Sequence, residues 1–289
     1  MIARSAVAAM LMTMSAAGLA AQDLEQARAA LRAADSAHAA AVQAHGVVHG
    51  LPSAFADDVY FLREGADVVH GLQAVRADLP GSPLAGAALA WTTLRADVSA
   101  DARHGYTYGG GTFTAANGTQ RFSRTMAYWR NEGGAWKVAA FVVNLPGRPA
   151  QPLPAGFVAQ DPTPIRGAAD VEEVMQADRD FSAQSVAHGP AAAFRDWAAA
   201  DGILLGGPFY GPQALYDVMR PGGGSLVWGP VAGGIAPSGD LGFTVGVASS
   251  TADDGTRGYS KYLTVWRRQP GGHWRFVADG GNARPAPRD

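Results

Sequence analysis

The sequence contains no cysteine, and this absence excludes several classes of protein. A chain without thiols cannot be a disulfide-stabilised scaffold, a thiolate metal centre or a lipoprotein attached through an N-terminal cysteine. Its 289 residues, of which 47% are hydrophobic, must therefore be stabilised by packing. That length is enough for one large or two ordinary globular domains, each with its own core.

Charged residues, and lysine above all, are also scarce. Charged side chains make up 17% of the chain, the formal net charge is −2, and Lys137 and Lys261 are the only lysines. Without a basic surplus there is no field that would attract nucleic acid through counterion release. Nucleic acid is therefore not expected as a partner.

The first 21 residues (1–21) predict an export signal. One positive charge at Arg4 precedes an uncharged apolar run, and small residues stand at Gly18, Ala20 and Ala21, where a signal peptidase would cut. We expect an exported protein, periplasmic or secreted, with no stable membrane insertion after cleavage. A membrane anchor is the alternative, but the run is rich in alanine and near the lower length limit for crossing a bilayer.

A proline-rich segment divides the rest of the chain. The stretch 145–167 holds six of the 18 prolines, which disfavour both helix and sheet, and it is predicted to be a linker. It separates a first unit, 22–144, from a second, 168–283, and the chain ends in a tail, 284–289, that is predicted to be flexible.

The two units are repeats of one another. Without gaps, 35–58 aligned with 178–201 gives 7 identities in 24 positions, and 91–130 aligned with 228–267 gives 11 in 40. The elements follow the same order in both copies. This pattern indicates a tandem duplication of one domain.

Each repeat begins with helix and continues with strands. Apolar residues recur at helical spacing after Asp170, and a His-Gly pair ends this helix in both copies, at His45-Gly46 and His188-Gly189. The β-branched and aromatic runs that follow are broken by the hairpin dipeptides Asn117-Gly118 and Asp254-Gly255. The predicted fold class is α+β, with helices packed against a curved antiparallel β-sheet in each repeat.

Three stretches of the second repeat resemble a known family: "YGPQAL" at 210–215, "SGDLGFTVG" at 238–246 and "GYSKYLTVWRRQPGGHWRFVADGG" at 258–281. They are similar to the nuclear transport factor 2-like superfamily, in particular to its SnoaL-like and domain-of-unknown-function 4440 branches. The first repeat has the same order of elements but "DARHG" in place of "SGDLG". The resemblance implies two tandem cone-shaped repeats, in each of which a bent sheet wraps around the helices and leaves a pocket. Such domains include isomerases, cyclases, dehydratases, ligand-binding modules and oligomerisation domains, so the fold does not decide the function.

The resemblance and the strand alternation together indicate candidate pocket residues. Side chains two apart on a strand share a face, and similarity to related domains places the face that begins at Ser260 toward the cavity. The predicted ligand-binding residues are Tyr262, Thr264, Trp266, Trp228 and Ser260. At the positions that match Tyr262 and Asp279, the first repeat has Thr125 and Phe141.

Asp279 and Asp178 are the candidate catalytic residues. A buried aspartate beside tyrosine and tryptophan could have a raised pKa and transfer protons at a carbon next to a carbonyl. Asp178 lies in the apolar stripe of the helix, from which it could reach the cavity. In the structural alternative, Asp279 bonds a backbone amide at the strand end and Asp178 bonds a loop.

No metal ion or other cofactor is expected. A site built from His38, His45, His49 and His70 would need three of them to converge, and Gly46 breaks the helix between two of them. The expected partner is a small molecule, and the two repeats are expected to form an internal pseudo-dimer, with a homodimer as the alternative.

Three functions stay open. The chain could bind a small, largely apolar ligand in the cavity of the second repeat. It could be a cofactor-independent isomerase, dehydratase or cyclase with an aspartate as general base in that repeat. It could also be a structural or interaction module whose cavities are filled.

Overall fold

The computed structural model describes residues 16–145, 148–150, 153–154, 162, 169–206 and 209–287. Most of the predicted export signal and most of the predicted linker lie outside these residues, so both stay predictions. Within the described part of the chain, no helix has the length and apolar character needed to cross a membrane.

The first repeat consists of two helices and six strands. Their bounds are α1 (Ala16–Gly50), β1 (Phe55–Leu62), β2 (Val69–His70), α2 (Leu72–Asp78), β3 (Ala88–Val98), β4 (His104–Thr114), β5 (Gln120–Glu132) and β6 (Ala135–Asn144). The strands form one sheet in the order β2-β1-β6-β5-β4-β3.

The second repeat has the same plan with one more helix. Its elements are α3 (Val171–His188), α4 (Pro190–Trp197), β7 (Ala198–Leu204), β8 (Phe209–Tyr210), α5 (Pro212–Met219), β9 (Ser225–Ile235), β10 (Leu241–Thr251), β11 (Arg257–Arg268) and β12 (Trp274–Ala283). The sheet order, β8-β7-β12-β11-β10-β9, repeats that of the first half position by position. The predicted α+β fold of two tandem repeats is confirmed.

Each sheet is mixed, which refines the antiparallel sheet that was predicted. β1 runs parallel to β6, and β7 runs parallel to β12, while the other pairs are antiparallel. The reason is topological, because the strand that follows the helices returns to the middle of the sheet beside the last strand of its repeat. A pairing between the two ends of a repeat leaves no local signal in the sequence.

The predicted helix ends and hairpins are present. Gly46 has a φ of 72° and kinks α1, and Gly189 has a φ of 84° between α3 and α4. Gly118 and Gly255 have φ values of 84° and 83° in the turns β4–β5 and β10–β11. Left-handed φ values of this kind are those at which glycine carries no steric penalty.

The two sheets also pack against each other. One hydrophobic cluster contains side chains of both repeats, among them Tyr106, Tyr128, Phe243 and Leu263. The rings of Tyr128 and Phe243 lie 4.6 Å apart between centroids. The repeats therefore share a core in addition to the core that each has beneath its own helices.

A buried cluster of charges crosses this contact. Arg267 of β11 donates to the Asp97 carboxylate at 3.0 Å, and the side chains of both residues are fully buried. Arg95 of β3 donates to the Asp201 carboxylate and, at 2.9 Å, to the Asp201 carbonyl. Asp240 lies 3.6 Å from Arg267. Buried ions of opposite sign are thus paired from one repeat to the other.

Candidate functional site

Strand β11 presents its two faces to different partners. Tyr262 and Trp266 point toward the helices of their own repeat, where Tyr262 reaches Asp178 of α3 and Trp266 packs against the ring of Phe181. Leu263 belongs to the core that the two repeats share. The alternation along β11 therefore separates a helix-side face from a face toward the first repeat, as the sequence predicts.

Asp178 is fully buried on α3 and accepts hydrogen bonds from side chains of three strands. Trp228 Nε1 donates to Oδ1 at 2.8 Å, the Tyr262 hydroxyl donates to Oδ2 at 2.9 Å, and Thr244 of β10 also bonds to the carboxyl. Burial raises the pKa of Asp178 to about 6, while the hydrogen bonds from Thr244, Tyr262 and Trp228 act in the opposite direction. The carboxyl thus holds the helix to the sheet and bonds no loop.

Asp279 lies on β12 with a single side-chain donor. The Thr264 hydroxyl, directly opposite on β11, donates to Oδ2 at 2.5 Å. Burial raises the pKa of Asp279 to about 7, and the negative charge of Asp178 raises it further, against the effect of the Thr264 hydrogen bond. The carboxyl bonds a hydroxyl here, and not the backbone amide of the structural alternative.

Asp279 borders a cavity of about 180 Å³ in the second repeat, and Asp178 lies behind its wall, hydrogen-bonded to Tyr262. Its lining residues are Phe181, Phe194, Leu226, Trp228, Ala248, Ser260, Lys261, Tyr262, Asp279 and Gly281. The wall is mostly aromatic and aliphatic, and the polar groups gather around Asp279 and Tyr262. Apolar cavities with a few convergent polar groups are the usual form of small-molecule sites.

The structure brings most of the predicted site residues together. Tyr262, Trp228, Ser260 and Asp279 line the cavity. Thr264 acts through its hydrogen bond to Asp279.

Trp266 is a correction, because it is not among the residues that line the cavity. It is fully buried, donates from Nε1 to the Thr244 hydroxyl at 2.9 Å and packs edge-on against Phe181. Its position four residues beyond Tyr262 on the same face puts it past the end of the cavity, in the core below α3 and α4.

The apolar wall was not predicted from the sequence. Phe181 and Phe194 come from α3 and α4, Leu226 from β9 and Ala248 from β10. Strand register could have indicated Ala248, since this residue lies directly between Trp228 and Ser260 in the sheet. Helix side chains carry no such signal, because their reach depends on how the helix is placed over the sheet.

The first repeat has the same frame, but aromatic rings fill the corresponding space. Asp35 accepts from Trp91, Thr93 and Thr107 at 3.2, 2.5 and 3.1 Å, as Asp178 accepts from its neighbours. Phe141 stands where the second repeat has Asp279, since each lies opposite the equivalent residue of the preceding strand.

The ring of Phe141 is fully buried among other aromatic rings. Its centroid lies 5.8, 6.3, 6.1 and 6.0 Å from those of Phe55, Phe61, Trp91 and His38. Burial lowers the pKa of His38 to about 4, so this ring is neutral and serves as part of the core. The first repeat is thus packed where the second is open.

Lys261 borders the cavity but directs its ammonium group elsewhere. Nζ donates to Asn282 Oδ1 at 2.5 Å and to the Ala283 carbonyl at 2.9 Å. Burial lowers the pKa of Lys261 to about 8. The charged groups that most affect the pKa of Lys261 are Arg63, Asp67, Arg284 and Glu64, and not Asp279 or Asp178.

Among the described residues, no group of three or more His, Asp or Glu side chains is arranged to hold a metal ion. The four histidines considered from the sequence are spread over the first repeat, and His38 Nε2 donates to the Leu51 carbonyl, 2.8 Å away.

Comparisons with known proteins give a likeness of fold. No protein-family model matches the chain, and no curated protein matches it. A nuclear transport factor 2-like protein with a cystatin-like fold from Novosphingobium aromaticivorans is 20% identical over 39% of this chain and 80% of its own, with a TM-score of 0.32. A ketosteroid isomerase-like protein from Erwinia carotovora atroseptica is 18% identical over 39% of this chain and 95% of its own, with a TM-score of 0.33.

The Δ5-3-ketosteroid isomerase from Mycobacterium sp. is 14% identical over 39% of this chain and 92% of its own, with a TM-score of 0.32. Each match spans about the length of one repeat. Identities and scores at this level carry no argument about activity or ligand. The repeats of this chain are similar in fold to nuclear transport factor 2-like proteins, in agreement with the resemblance found in the sequence.

Proposed function

We propose that the chain binds a small, largely apolar molecule in the cavity of its second repeat. The proposal rests on a difference between the two repeats in the space that lies between the helix and the sheet. In the first repeat Phe141 and its neighbours fill the space, whereas in the second the same frame encloses about 180 Å³ beside Asp279. A domain that only supports the fold has no reason to keep this space open, since filling a cavity stabilises a core.

The size of the cavity limits the ligand. An apolar cavity of about 150 Å³ in another protein holds benzene, so a cavity of about 180 Å³ accepts one ring with a short substituent. Phe181, Phe194 and Leu226 would contact the apolar part of the ligand. Asp279 and Ser260 would bond its polar end.

Filling the cavity tests this proposal. Asp279→Phe places in the second repeat the side chain that fills the first, and Ala248→Leu narrows the cavity from the opposite wall. Binding of toluene and benzyl alcohol, followed by saturation-transfer NMR, is expected for the wild-type chain and for Asp279→Asn, and is expected to be lost in both filling variants.

Circular dichroism and the unfolding midpoint show whether each variant is folded. Equal probe signals from the wild-type chain and from a folded filling variant would place the probes outside the cavity. In that case the binding proposal fails.

Proton transfer is the second candidate function, and the pKa of Asp279 favours it. A carboxyl with a pKa of about 7 that faces an apolar cavity can take a proton from carbon and return it at another position. The new negative charge on the substrate oxygen would need a hydrogen-bond donor. The Tyr262 hydroxyl donates to Asp178 and the Thr264 hydroxyl donates to Asp279, which leaves Ser260 as the donor on the cavity wall.

We place binding first because two of these hydroxyls are already engaged. Exchange of the methyl protons of acetophenone in D₂O separates the two functions. An enzyme would accelerate the exchange above the buffer rate, and Asp279→Asn would abolish the acceleration. A rate equal to that of buffer, with the probe bound, leaves binding alone.

A further inference from the structure

The cavity is lined by the carboxyl of Asp279, and the basic residue on its wall bonds its ammonium group to other partners. Asp279 lines the cavity and Asp178 lies behind Tyr262, to which it is hydrogen-bonded. The charged group that raises the pKa of Asp279 is Asp178. Lys261, the one basic lining residue, has its ammonium bonded to Asn282 and Ala283.

The basic group that lowers the pKa of Asp178 belongs to the surface. Arg179 follows Asp178 on α3, but its guanidinium pairs with Glu172 on the exposed side of that helix. Buried carboxylates are ordinarily paired with a cation or a metal ion. Here Asp178 and Asp279 accept hydrogen bonds from neutral hydroxyl and indole groups instead.

Three aromatic rings, those of Phe181, Phe194 and Trp228, line the same cavity as Asp279. The centroid of Phe181 lies 4.9 Å from that of Phe194 and 4.5 Å from that of Trp228, and the other two are 5.9 Å apart. All three pairs are edge-to-face, so the rings turn in different directions around one space. The face of an aromatic ring attracts a cation, most strongly where water is excluded.

We propose that the ligand of this cavity is a protonated small amine, with its ammonium group at Asp279 and its apolar part among the three rings. This inference rests on the proposed function and specifies its ligand class. An ammonium group donates three hydrogen bonds and supplies the missing positive charge, whereas a carboxylate or phosphate would be repelled by both aspartates. A neutral molecule of the same shape would leave the charge of Asp178 unbalanced.

Proton linkage gives the proposal a distinctive signature. A cation beside Asp279 favours the ionised carboxyl and lowers its pKa from about 7, so binding near neutral pH releases a proton. The other titratable groups at the cavity are Asp178, Tyr262 and Lys261. Burial together with the charge of Asp178 raises the pKa of Tyr262, which keeps that phenol protonated, and Lys261, with a pKa lowered by burial to about 8, stays mostly charged near pH 6.5 and bonds Asn282 and Ala283. A neutral ligand has no such effect on Asp279.

Three probes of one shape and different charge test the proposal: benzylamine, benzyl alcohol and benzoate. Titration calorimetry of the full chain at about pH 6.5, in phosphate and in MES, gives both the affinity and the number of protons released. Benzylamine is expected to bind at least about tenfold more tightly than benzyl alcohol and to release protons, and benzoate is expected not to bind.

Two isosteric variants locate the effect. Asp279→Asn is expected to bind benzyl alcohol as the wild-type chain does, to lose most of the preference for benzylamine and to release no proton. Asp180→Asn is the matched control, because it removes an exposed carboxylate from the same helix, two residues from Asp178, and is expected to change neither value.

Each outcome has one meaning. Equal affinities for benzylamine and benzyl alcohol, or binding of benzoate, overturn the amine proposal and leave the binding function in place. A preference for benzylamine that survives in Asp279→Asn places the ammonium elsewhere and also overturns the proposal. Failure of all three probes to bind contradicts the amine proposal together with the proposed function.

Discussion

At the scale of single residues, the two repeats carry different side chains at positions that are structurally equivalent. Asp279 and Phe141 occupy the same register on equivalent strands, and Phe181 and His38 the same position on equivalent helices. A carboxyl in one place and a ring in the other decide whether the space between helix and sheet stays open. Where the space stays open, the ionised form of Asp279 is buried with its charge, and this destabilises the fold.

This destabilisation predicts how stability depends on pH. The pKa of Asp279 is raised from 3.8 to about 7 in the folded chain. The contribution of this carboxyl to the free energy of unfolding is therefore most favourable at low pH and is lost as the pH rises through that interval. Asp279→Asn cannot ionise. Relative to this variant, the wild-type free energy of unfolding is expected to fall by about 4 kcal/mol between acid and mildly alkaline pH.

Guanidinium unfolding curves of both proteins at several pH values provide the measurement. Because the histidines are present in both proteins, the difference between them reports the ionisation of Asp279 together with its electrostatic coupling to Asp178. A difference that does not change with pH would mean that Asp279 is solvated or already neutralised.

Part of the candidate site could be predicted from the sequence at the level of single residues. Alternation on β11 and the repeat alignment were enough to select Tyr262, Ser260 and Asp279. They could not show that Trp266 lies past the cavity, because strand alternation gives the face of a side chain but not the point at which the cavity ends. The partners of Asp178 were also out of reach, since they come from three strands that meet only in the folded sheet.

At the scale of elements, close approach between neighbouring strands positions the phenol. Gly246 on β10 pairs with Tyr262 on β11, and a Cβ atom at Gly246 would lie 2.2 Å from the tyrosine hydroxyl oxygen. Gly246→Ala is therefore expected to displace Tyr262 from Asp178 and to cost about 1–3 kcal/mol of unfolding free energy, the usual range for an overpacked core.

Gly229→Ala on the adjoining strand is the matched control, because a Cβ atom there meets nothing within 4 Å. Its unfolding free energy is expected to stay within about 0.5 kcal/mol of wild type. Thermal and denaturant unfolding of the two variants, with benzyl alcohol binding as a second readout, compare them. Equal stabilities would show that the tyrosine moves aside without cost.

Local elements were predictable from the sequence because local chemistry specifies them. The hairpin turns at Gly118 and Gly255 and the helix ends at Gly46 and Gly189 all depend on glycine at a left-handed φ. The parallel pairs β1–β6 and β7–β12 were not predictable, because each joins segments separated by most of a repeat.

At the scale of the whole molecule, we propose that the two repeats form an internal pseudo-dimer, as expected from the sequence. The shared hydrophobic core and the pairing of Arg267 with Asp97 support this proposal. The asymmetry of the contact is visible in Arg130, the equivalent of Arg267, which pairs with Asp58 of its own repeat near the surface.

That asymmetry predicts unequal effects of one substitution at two equivalent sites. Arg267→Ala leaves Asp97 and Asp240 buried without this partner and is expected to cost about 3–5 kcal/mol. Arg130→Ala removes a partly exposed ion pair and is expected to cost less than about 1 kcal/mol. Denaturant unfolding of both variants measures the difference, and similar losses would mean that the buried pair contributes little to the contact between repeats.

The shared core also makes the two sides of the cavity mechanically unequal. β11 and β12 form one side, and their opposite faces are fixed against the first repeat by the shared hydrophobic cluster and by Asn282, which donates to the Leu62 and Val143 carbonyls. α4 and the edge strand β9 form the other side, and they pack against α3, α5 and β10 of the same repeat. One side of the cavity is therefore braced by the other repeat, whereas the opposite side is supported by elements of its own repeat.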